Sequence, residues 1–442
     1  MEKQASLRRT LTLGPLVVIG LAYMDPLVVF DSYGVVSKLT EGHVPIAYIL
    51  TLVALLFTAL SYGKMVQVYP SAGSTYTYAQ KSIHPHVGFL VGWSVMLDYL
   101  FLPMVNFAIG SAYLTAAFPA IPGPVWVLIL AVMITIINLF GIKLTANMSA
   151  LFVTFQTLVA LVFVGFMIKG ISGGMGEGTL ISSAPFFTSD MNVGLVFSGA
   201  SILCFSFLGF DAVTTLSEET VNPKKNIPRA ILAIAFTGGI LFTGISYLLH
   251  MVHPNFLAFQ DVDAASLEVA SYVGGSFMHS LFLAGTMVAV ISSSLSSHTS
   301  ASRLLYAMGR EGALPKRIFG YVSAKRGTPV FNIIIIGAIS MTAVFGELEV
   351  IYSFISFGAL IGFLFVNLSV IAHYYIREKR RSGLDFVRYF LAPAIGGVFC
   401  VWLFVSLNIS ALLVGSAWLV LGGLYLYFKL KQNPSLEFNF TK

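Results

Sequence analysis

The stretch GLAYMDPLVVFDSYG (residues 20–34) combines helix-weakening residues with two carboxylates inside an apolar run. Glycine lowers the stability of a helix, and Pro26 also removes a backbone hydrogen-bond donor. Asp25 and Asp31 add charge where the surrounding residues are typical of a membrane span. Because a broken helix occurs at membrane depth only where it lines a cavity or is buried in protein, the stretch predicts an interrupted first helix beside a binding site.

The composition around this stretch is that of a helical protein with many membrane spans. Of the 442 residues, 57% are hydrophobic and 10% are charged, whereas soluble domains carry about 25% charged residues. Apolar runs of about 20 residues match a hydrocarbon core of about 30 Å, and they lack the alternation of barrel strands. The sequence therefore predicts an all-α polytopic membrane protein that forms one domain over residues 1–442.

Twelve apolar segments qualify as membrane-spanning helices, and the connections between them are too short for a soluble domain. These segments are residues 12–38, 44–69, 86–118, 123–141, 147–170, 192–218, 230–252, 276–307, 330–346, 348–375, 386–407 and 409–428.

The basic residues indicate orientation rather than a nucleic-acid partner. With the N-terminus placed inside, all of the 25 lysines and arginines except Lys38 and Lys169 fall in inside segments. This asymmetry follows the positive-inside rule and predicts that both termini are cytoplasmic. The net charge of +6 is thereby explained without nucleic acid. We expect a multi-pass protein of the cell membrane (plasma or inner membrane) whose surroundings are the lipid bilayer.

Four acidic residues lie well inside predicted spans, and no lysine or arginine is predicted at comparable depth. They are Asp25, Asp31, Asp98 and Asp211. A carboxylate inside a membrane normally faces a cavity, a partner or a substrate. The missing positive charge can come from a proton, a metal cation or a cationic substrate. The alternative is that these acids are protonated members of a hydrogen-bonded structure.

Two of the acids lie in similar surroundings, which suggests a repeat. Asp25 lies in GLAYMDP and Asp211 in FSFLGFDAV, and each combines glycine, an aromatic residue and an aspartate. The following spans contain LFTALSY (56–62) and LFTGISY (241–247), which lie 185 positions apart. Two halves of five spans each would have opposite topology, and transporters bind substrate where such halves meet.

The eighth span carries the polar run SSSLSSHTSASR (292–303). Its hydroxyl groups could bond back to the preceding helical turn. Alternatively they could supply oxygen ligands for Na⁺, or a proton path through His298. The candidates for ion coupling are Asp98 and this run's Ser296, Ser297, His298, Thr299 and Ser300. No resident metal is predicted, and Cys204 and Cys400 are expected to be apolar packing residues.

Glu218 and Glu219 follow the sixth span in SEETVNPKKNIP. We expect them to pair with Lys224, Lys225 or nearby arginines and to form part of a cytoplasmic gate. The sequence contains no GxxxxGK[ST], CxxC, HExxH or GxSxG motif, so we predict neither an enzyme nor a cofactor. Transport of a substrate against its concentration gradient would then be driven by an ion gradient, with H⁺ favoured over Na⁺. We expect no ATPase partner.

The segment GFDAVTTLSEETVNPKKNIPRAI (209–231) resembles the sixth span and following loop of amino acid–polyamine–organocation permeases. Residues 43–106, SRLLYAMGRE (302–311) and FGALIGFLFVNLSVIAHY (357–374) are more similar to the branch of bacterial putrescine importers. The resemblance implies a LeuT-like fold with two inverted repeats and two appended helices. The repeats would be residues 12–170 (helices 1–5) and 192–375 (helices 6–10), followed by helices 11 and 12 at residues 386–428.

The resemblance also implies which residues bind substrate. Asp211 matches the acid of the broken sixth helix, which lies at the substrate amine in this superfamily. In its amino acid permeases, a glycine-rich break in the first helix receives the substrate carboxylate. Here AYMDP (22–26) replaces small residues with bulk and adds Asp25. This departure fits a substrate without a carboxylate, such as a diamine.

The sequence and the resemblance together predict a secondary active importer of putrescine or a related polyamine. Asp211 and Asp25 would hold one ammonium group, and Asp98 would hold the second or bind the coupling proton. The remaining predicted substrate-binding residues supply aromatic faces or backbone at the breaks: Tyr23, Phe207, Phe210, Gly20 and Gly209. Two alternatives stay open, an amino acid permease of the same superfamily and a nutrient sensor of the same fold that does not transport.

Overall fold

The computed structural model describes residues 8–118, 120–260, 262, 265–324, 326–345, 348–407 and 409–432. Across these residues the only β structure is one isolated bridge, between Leu11 and Thr220. The all-α prediction is thus confirmed for the described chain. Both chain ends, predicted to be cytoplasmic, lie outside the described residues, and their orientation stays a prediction.

The helices follow the predicted spans closely in position. In chain order they are α1 (Leu13–Met24), α2 (Val28–Leu39), α3 (Val44–Val68), α4 (Ser74–Ser82), α5 (Pro85–Ala117), α6 (Gly123–Leu139), α7 (Ile142–Ser172), α8 (Val193–Leu203), α9 (Pro223–Val252), α10 (Ala265–Arg310), α11 (Lys316–Phe319), α12 (Val330–Ser340), α13 (Leu348–Val370), α14 (Gly383–Phe386), α15 (Ala392–Val405) and α16 (Ile409–Gln432). Short 3₁₀-helical turns cover Cys204–Phe207, Ala212–Glu219 and Met341–Phe345. Wide π-helical turns cover Ile371–Arg377 and Val387–Leu391.

Several of these helices are long and apolar enough to cross a bilayer. Within the described residues, nine single spans meet that criterion, and the bent pair α1 and α2 makes a tenth. Two further apolar segments, Gly123–Leu139 and Val330–Val344, are shorter. The structure thereby confirms a multi-pass membrane protein, while the count of twelve spans and the five-plus-five repeat stay predictions.

Two helices depart from the predicted boundaries. The predicted connection between residues 69 and 86 contains α4, whose nine residues are too polar and too few to be detected as a span. Helix α10 has 46 residues and begins before the predicted position 276, with a kink at Gly275. The first turns of α10 mix polar and apolar residues, so hydropathy alone did not place them in the helix.

The predicted break in the first span is present between α1 and α2, which are inclined at 41°. Asp25 has a positive φ of 63°, which a non-glycine residue adopts only with local support. That support is an Asx-type turn, because the Leu27 backbone N–H donates to Asp25 Oδ1 at 2.9 Å. The turn uses a side-chain oxygen to satisfy a backbone donor that the interrupted helix leaves free.

The second predicted break separates α8 from the turn Ala212–Glu219, and it packs directly on the first. Gly209 lies at this break with φ +116°, a conformation that glycine tolerates best. A Cβ atom at Gly209 would lie 2.5 Å from Tyr23 Cδ1 and 2.9 Å from the Met24 nitrogen. The backbones of the two broken helices therefore lie in direct contact in the interior of the protein, with no space for a side chain at Gly209.

Candidate functional site

The centre of the candidate site is a pair of carboxyl groups, Asp98 of α5 and Asp211 of the second break. Asp98 is 1% exposed and Asp211 is 2% exposed, and they lie close enough for their charges to interact. Asp211 Oδ2 accepts hydrogen bonds from the Tyr62 hydroxyl at 3.2 Å and the Tyr99 hydroxyl at 3.0 Å. The fold thus buries two acids side by side and orients one of them with two tyrosines.

Three polar atoms at this centre make no hydrogen bond of standard distance and angle, although the Tyr23 hydroxyl lies close enough to the Asp98 carboxyl group for the two to interact. They are Asp98 Oδ1, Asp211 Oδ1 and the Tyr23 hydroxyl, each fully buried. Tyr23 interacts electrostatically with both carboxyl groups, and its ring centroid lies 6.2 Å from that of Tyr99. Buried polar groups are almost always paired, so this convergence indicates a place for hydrogen-bond donors from a ligand.

Aromatic rings border the carboxyl pair. The Phe210 ring lies 6.0 Å from that of Tyr62 and 5.3 Å from that of Phe363 on α13. Phe207 instead packs against Tyr48 and Phe242, at centroid distances of 6.3 Å and 5.5 Å. Of the two predicted phenylalanines, Phe210 is the one whose ring contacts a tyrosine that orients Asp211.

Gly20, the other predicted glycine of the site, serves the packing of α1. A Cβ atom there would lie 2.1 Å from Ile234 Cδ1 on α9 and 3.0 Å from Val213 Cγ1. Gly20 therefore allows a close approach of α1 to α9, whereas Gly209 brings the second break against Tyr23.

Asp25 and Asp31 form a second acidic pair. Their charges interact, and Asp31 is also electrostatically coupled to the Tyr48 hydroxyl on α3. Asp31 is exposed and Asp25 is partly exposed, unlike the buried acids at the centre. The structure thus groups the four predicted acids as Asp98 with Asp211 and Asp25 with Asp31.

Most hydroxyls of the polar run on α10 bond within the protein. Ser297 Oγ donates to the Ser293 carbonyl at 2.7 Å, and Thr299 Oγ1 donates to the Leu295 carbonyl at 2.9 Å. The ring nitrogen Nε2 of His298 lies 2.8 Å from the Ile333 carbonyl oxygen. For Ser297 and Thr299, these contacts match the back-bonding alternative.

Two other predicted coupling residues of the run, Ser296 and Ser300, are less fully engaged. The Ser296 hydroxyl lies 3.3 Å from that of Ser149, and Ser300 Oγ is buried without a partner. Ser293, which was not among the predicted coupling residues, reaches the first break, since its hydroxyl donates to the Tyr23 carbonyl at 3.2 Å. Asn106 of α5 donates to the same Ser293 oxygen at 3.0 Å.

The partners of the two predicted gate residues are arginines, one of the predicted alternatives, and not the two lysines. Glu219 pairs with Arg303 at 3.0 Å, and both side chains are 1% exposed. Glu218 pairs with Arg310 at 2.6 Å. The predicted partners Lys224 and Lys225 are nearer in sequence, but the last turns of α10 pack against the turn Ala212–Glu219.

Arg303 lies near the end of predicted span 276–307 and is fully buried inside the protein. Glu219 already compensates its charge with two hydrogen bonds, at 3.0 and 3.1 Å. The acids at the centre therefore still need a positive charge from another source.

Helix α4 is a part of the site that was not predicted. The Thr75 hydroxyl lies 2.8 Å from the Tyr62 hydroxyl, and the Ser74 hydroxyl lies 2.5 Å from that of Thr214. Just before the helix, the Ala72 N–H donates to Glu218 Oε1 at 3.1 Å. The start of α4 thus contacts the second broken helix both near Asp211 and at the ion pairs.

Tyr62 and Tyr99 were also missed, although the sequence contained a signal for each. Tyr62 is the last residue of the repeated LFTALSY, and Tyr99 directly follows Asp98. Their roles depend on α3 and α5 both facing the second break, which the sequence of neither helix specifies.

Residues 16–435 match the family described as amino acid permease. The chain is 46% identical over 424 residues to the low-affinity putrescine importer PlaP of Escherichia coli (strain K12), covering 96% of this chain and 94% of that protein. It is 26% identical over 464 residues to the branched-chain amino acid permease BcaP of Bacillus subtilis (strain 168), covering 98% of this chain and 95% of that protein. Both relatives are transporters.

A solved structure has a similar fold. It is the substrate-bound outward-open state of a Na⁺-coupled sialic acid symporter, with a TM-score of 0.58 and 14% identity. The match covers 91% of this chain and 90% of the symporter chain. At that identity, the likeness concerns the arrangement of helices alone.

Proposed function

We propose that this chain, which belongs to the amino acid permease family, imports putrescine or a related polyamine across the cell membrane. Family membership makes it a permease rather than an enzyme, and its apolar helices place it in the membrane. The 46% identity to a putrescine importer supports a polyamine as the substrate.

One observation carries the proposal, namely the three buried and unpartnered atoms Asp98 Oδ1, Asp211 Oδ1 and Tyr23 Oη. A primary ammonium group has three N–H donors and one positive charge. It can therefore satisfy three acceptors and compensate charge on the acid pair. Arg303 and Arg310 are not available for this, because they pair with Glu219 and Glu218.

The remainder of a diamine fits the surroundings of this ammonium subsite. Tyr23 and Phe210 offer ring faces to the cation and to the methylene chain. Asp25 follows Tyr23 by two residues and is partly exposed, so we assign the second ammonium group to it. This assignment replaces the predicted sharing of one ammonium by Asp25 and Asp211, because Asp211 has Asp98 as its acidic neighbour.

We propose that the coupling ion is a proton and that Asp98 carries it. The hydroxyls of Ser297 and Thr299 already donate to backbone carbonyls, which leaves them less suited as Na⁺ ligands. A proton on Asp98 would reduce repulsion between the two acids when no substrate is bound. The transporter would need neither a cofactor nor an ATPase partner.

The proposed cycle is alternating access by two inverted repeats of five helices, with helices 11 and 12 appended and both termini cytoplasmic. The touching breaks at Gly209 and Met24 support a common movement of the two interrupted spans. The ion pairs of Glu218 and Glu219 support a closed gate on the predicted cytoplasmic side.

The test is uptake of labelled putrescine by cells that lack their own putrescine importers. Expression of this chain should raise uptake well above the vector control, and uptake equal to that control would refute the proposal. Unlabelled amino acids serve as competitors, because an amino acid that competes better than putrescine would favour an amino acid permease, the function named for the Bacillus relative. Counterflow in proteoliposomes separates a transporter from a sensor that only binds.

A further inference from the structure

The connection between α13 and α15 is a strongly basic segment at the edge of the membrane. This segment, here called the basic hairpin, covers residues 371–391 and contains two wide helical turns and α14. Its five basic residues are Arg377, Lys379, Arg380, Arg381 and Arg388, against two acids, Glu378 and Asp385.

Both acids of the basic hairpin are engaged locally. Glu378 pairs with Arg380 at 2.8 Å, and Asp385 accepts a hydrogen bond from Ser382 at 3.1 Å. Within the described part of the chain, no ion pair is formed by four of the five basic residues: Arg377, Lys379, Arg381 and Arg388. The hairpin thus carries four cations whose charge an anion from outside the chain could compensate.

Lys64 of α3 adds a fifth cation to this group. Its ammonium donates to the Arg388 carbonyl oxygen, and its charge interacts with that of the Arg388 guanidinium. Two like charges near each other repel, and an anion that lies near both would offset this repulsion. Lys64 and Arg388 therefore belong to the same group of basic side chains.

Tyrosine rings hold several of these cations in place. The Tyr374 and Tyr389 rings stack at 4.4 Å, and the Arg380 guanidinium lies 5.4 Å and 5.7 Å from their centroids. Lys64 Nζ lies 5.4 Å from the Tyr389 centroid on the same stack. Arg381 lies 5.0 Å from the ring of Tyr375. The positive-inside rule requires charge on this side but not this ordered array.

Exposed apolar side chains on the same hairpin identify the surroundings of the array. Ile376 is 60% exposed and Leu384 is 61% exposed, and Val387 and Leu391 are also exposed. A segment that shows apolar and basic side chains together, directly after a membrane span, suits the boundary between acyl chains and headgroups. The anion nearest to such a segment is a lipid phosphate.

We propose that the basic hairpin and Lys64 form a binding site for the headgroup of an anionic phospholipid. The phosphate lies near Arg388 and Lys64, Lys379 adds a further exposed charge on the same hairpin, and the acyl chains lie along Ile376 and Leu384. Basic clusters at the membrane surface bind anionic lipids in this way. The site is independent of the proposed transport activity, because it lies outside the buried acid pair.

The test compares lipid binding by the purified full-length protein and two double variants. Lys379→Gln/Arg388→Gln removes two charges from the hairpin, while Lys224→Gln/Lys225→Gln removes two from the exposed start of α9. Phosphatidylglycerol and phosphatidylcholine with the same acyl chains are added in detergent. Bound lipid is counted by native mass spectrometry, and the Tm is measured in parallel.

We expect phosphatidylglycerol to bind and to raise the Tm more than phosphatidylcholine does, with affinity about tenfold lower in the hairpin variant. The α9 variant should behave as the original protein, and Lys379→Arg/Arg388→Lys should retain binding. Equal binding of both lipids, equal losses in the two glutamine variants, or an equal Tm increase with inorganic phosphate alone would each overturn the lipid site. The Tm of each variant in phosphatidylcholine verifies that it is folded.

Discussion

Asp211 is the residue on which the proposed binding mode depends most. One of its carboxylate oxygens accepts two tyrosine hydroxyls, and the other is buried without a partner. Tyr62 and Tyr99 therefore hold the group in one orientation while leaving an acceptor for a ligand. Such an arrangement lowers the entropic cost of binding, because the acceptor is positioned before the substrate arrives.

Replacement of the acid by its neutral isostere tests this role. We expect Asp211→Asn to lower the apparent affinity for putrescine by about 30-fold or more, since removal of one partner of a buried charge pair costs about 2 kcal/mol or more. The measurement is the concentration dependence of uptake. The control is Asp385→Asn, which removes a partly exposed acid far from Asp211 in the chain and should leave uptake unchanged. An unchanged affinity in the Asp211 variant would contradict the assigned role.

The Arg303–Glu219 pair is a second residue-scale feature, and it concerns stability. Loss of one partner of a buried ion pair strands the other charge, so Arg303→Met should lower the free energy of unfolding by about 3–5 kcal/mol. The double change Arg303→Met/Glu219→Gln should recover part of this loss, because no charge then stays buried. Unfolding by denaturant in detergent measures both. Equal stability of the single and double variants would show that the stranded charge is not the cause.

At the scale of elements, the two helix breaks act as one unit. The α1–α2 break is stabilised by its own Asx-type turn, whereas the second break needs Gly209 to approach Tyr23 and Met24. The segment before α1 also pairs with the end of the second broken helix, since the Val221 N–H donates to the Leu11 carbonyl at 2.8 Å. Each broken helix therefore depends on the other for its position.

Gly209→Ala tests this close approach. The added Cβ atom would overlap Tyr23 and would meet an unfavourable positive φ, at a cost of about 1–3 kcal/mol. We expect a lower Tm and a large loss of putrescine uptake, because the unpartnered Tyr23 hydroxyl would be displaced. Gly244→Ala is the matched control, since a Cβ atom there meets nothing within 4 Å. Equal uptake by the two variants would argue against contact between the breaks as a requirement.

At the scale of the whole molecule, large apolar side chains lie on the outer surface as well as in the core, unlike in a soluble protein. Helices α7, α15 and α16 expose large apolar residues, among them Leu151, Leu161, Val398, Val405 and Val420. The interior contains, beside its apolar core, the acid pair, the hydroxyls of α10 and the Arg303–Glu219 pair. Because lipid offers no hydrogen bonds, polar groups are stable only inside the helix assembly.

The coupling of this assembly to an ion is testable in proteoliposomes. With an inward proton gradient, putrescine uptake should accelerate, and replacement of Na⁺ by K⁺ should have no effect. Asp98→Asn should abolish the response to the proton gradient, because the proposed proton carrier is lost. Acceleration by an inward Na⁺ gradient alone would contradict proton coupling and return the hydroxyls of α10 to consideration.

The sequence predicted the helical class, the position of most spans and both breaks, because these follow from local features. Hydropathy over about 20 residues identifies a span, and glycine or proline beside an aspartate marked the interruptions at Asp25 and Asp211. The polar helix α4 was missed, since nine residues of mixed polarity carry neither signal. Similarity over nearly the whole chain then identified the family.

By itself, the sequence determined that this protein is a helical membrane permease with acids at two interrupted spans. Only the tertiary structure decided which distant groups meet: Asp98 with Asp211, and Glu219 with Arg303 rather than with a nearby lysine. The physical reason is that hydropathy and helix breaking depend on residues close in the chain. The partners of a buried charge depend instead on which helix faces pack together, and here the partners lie up to about a hundred positions apart.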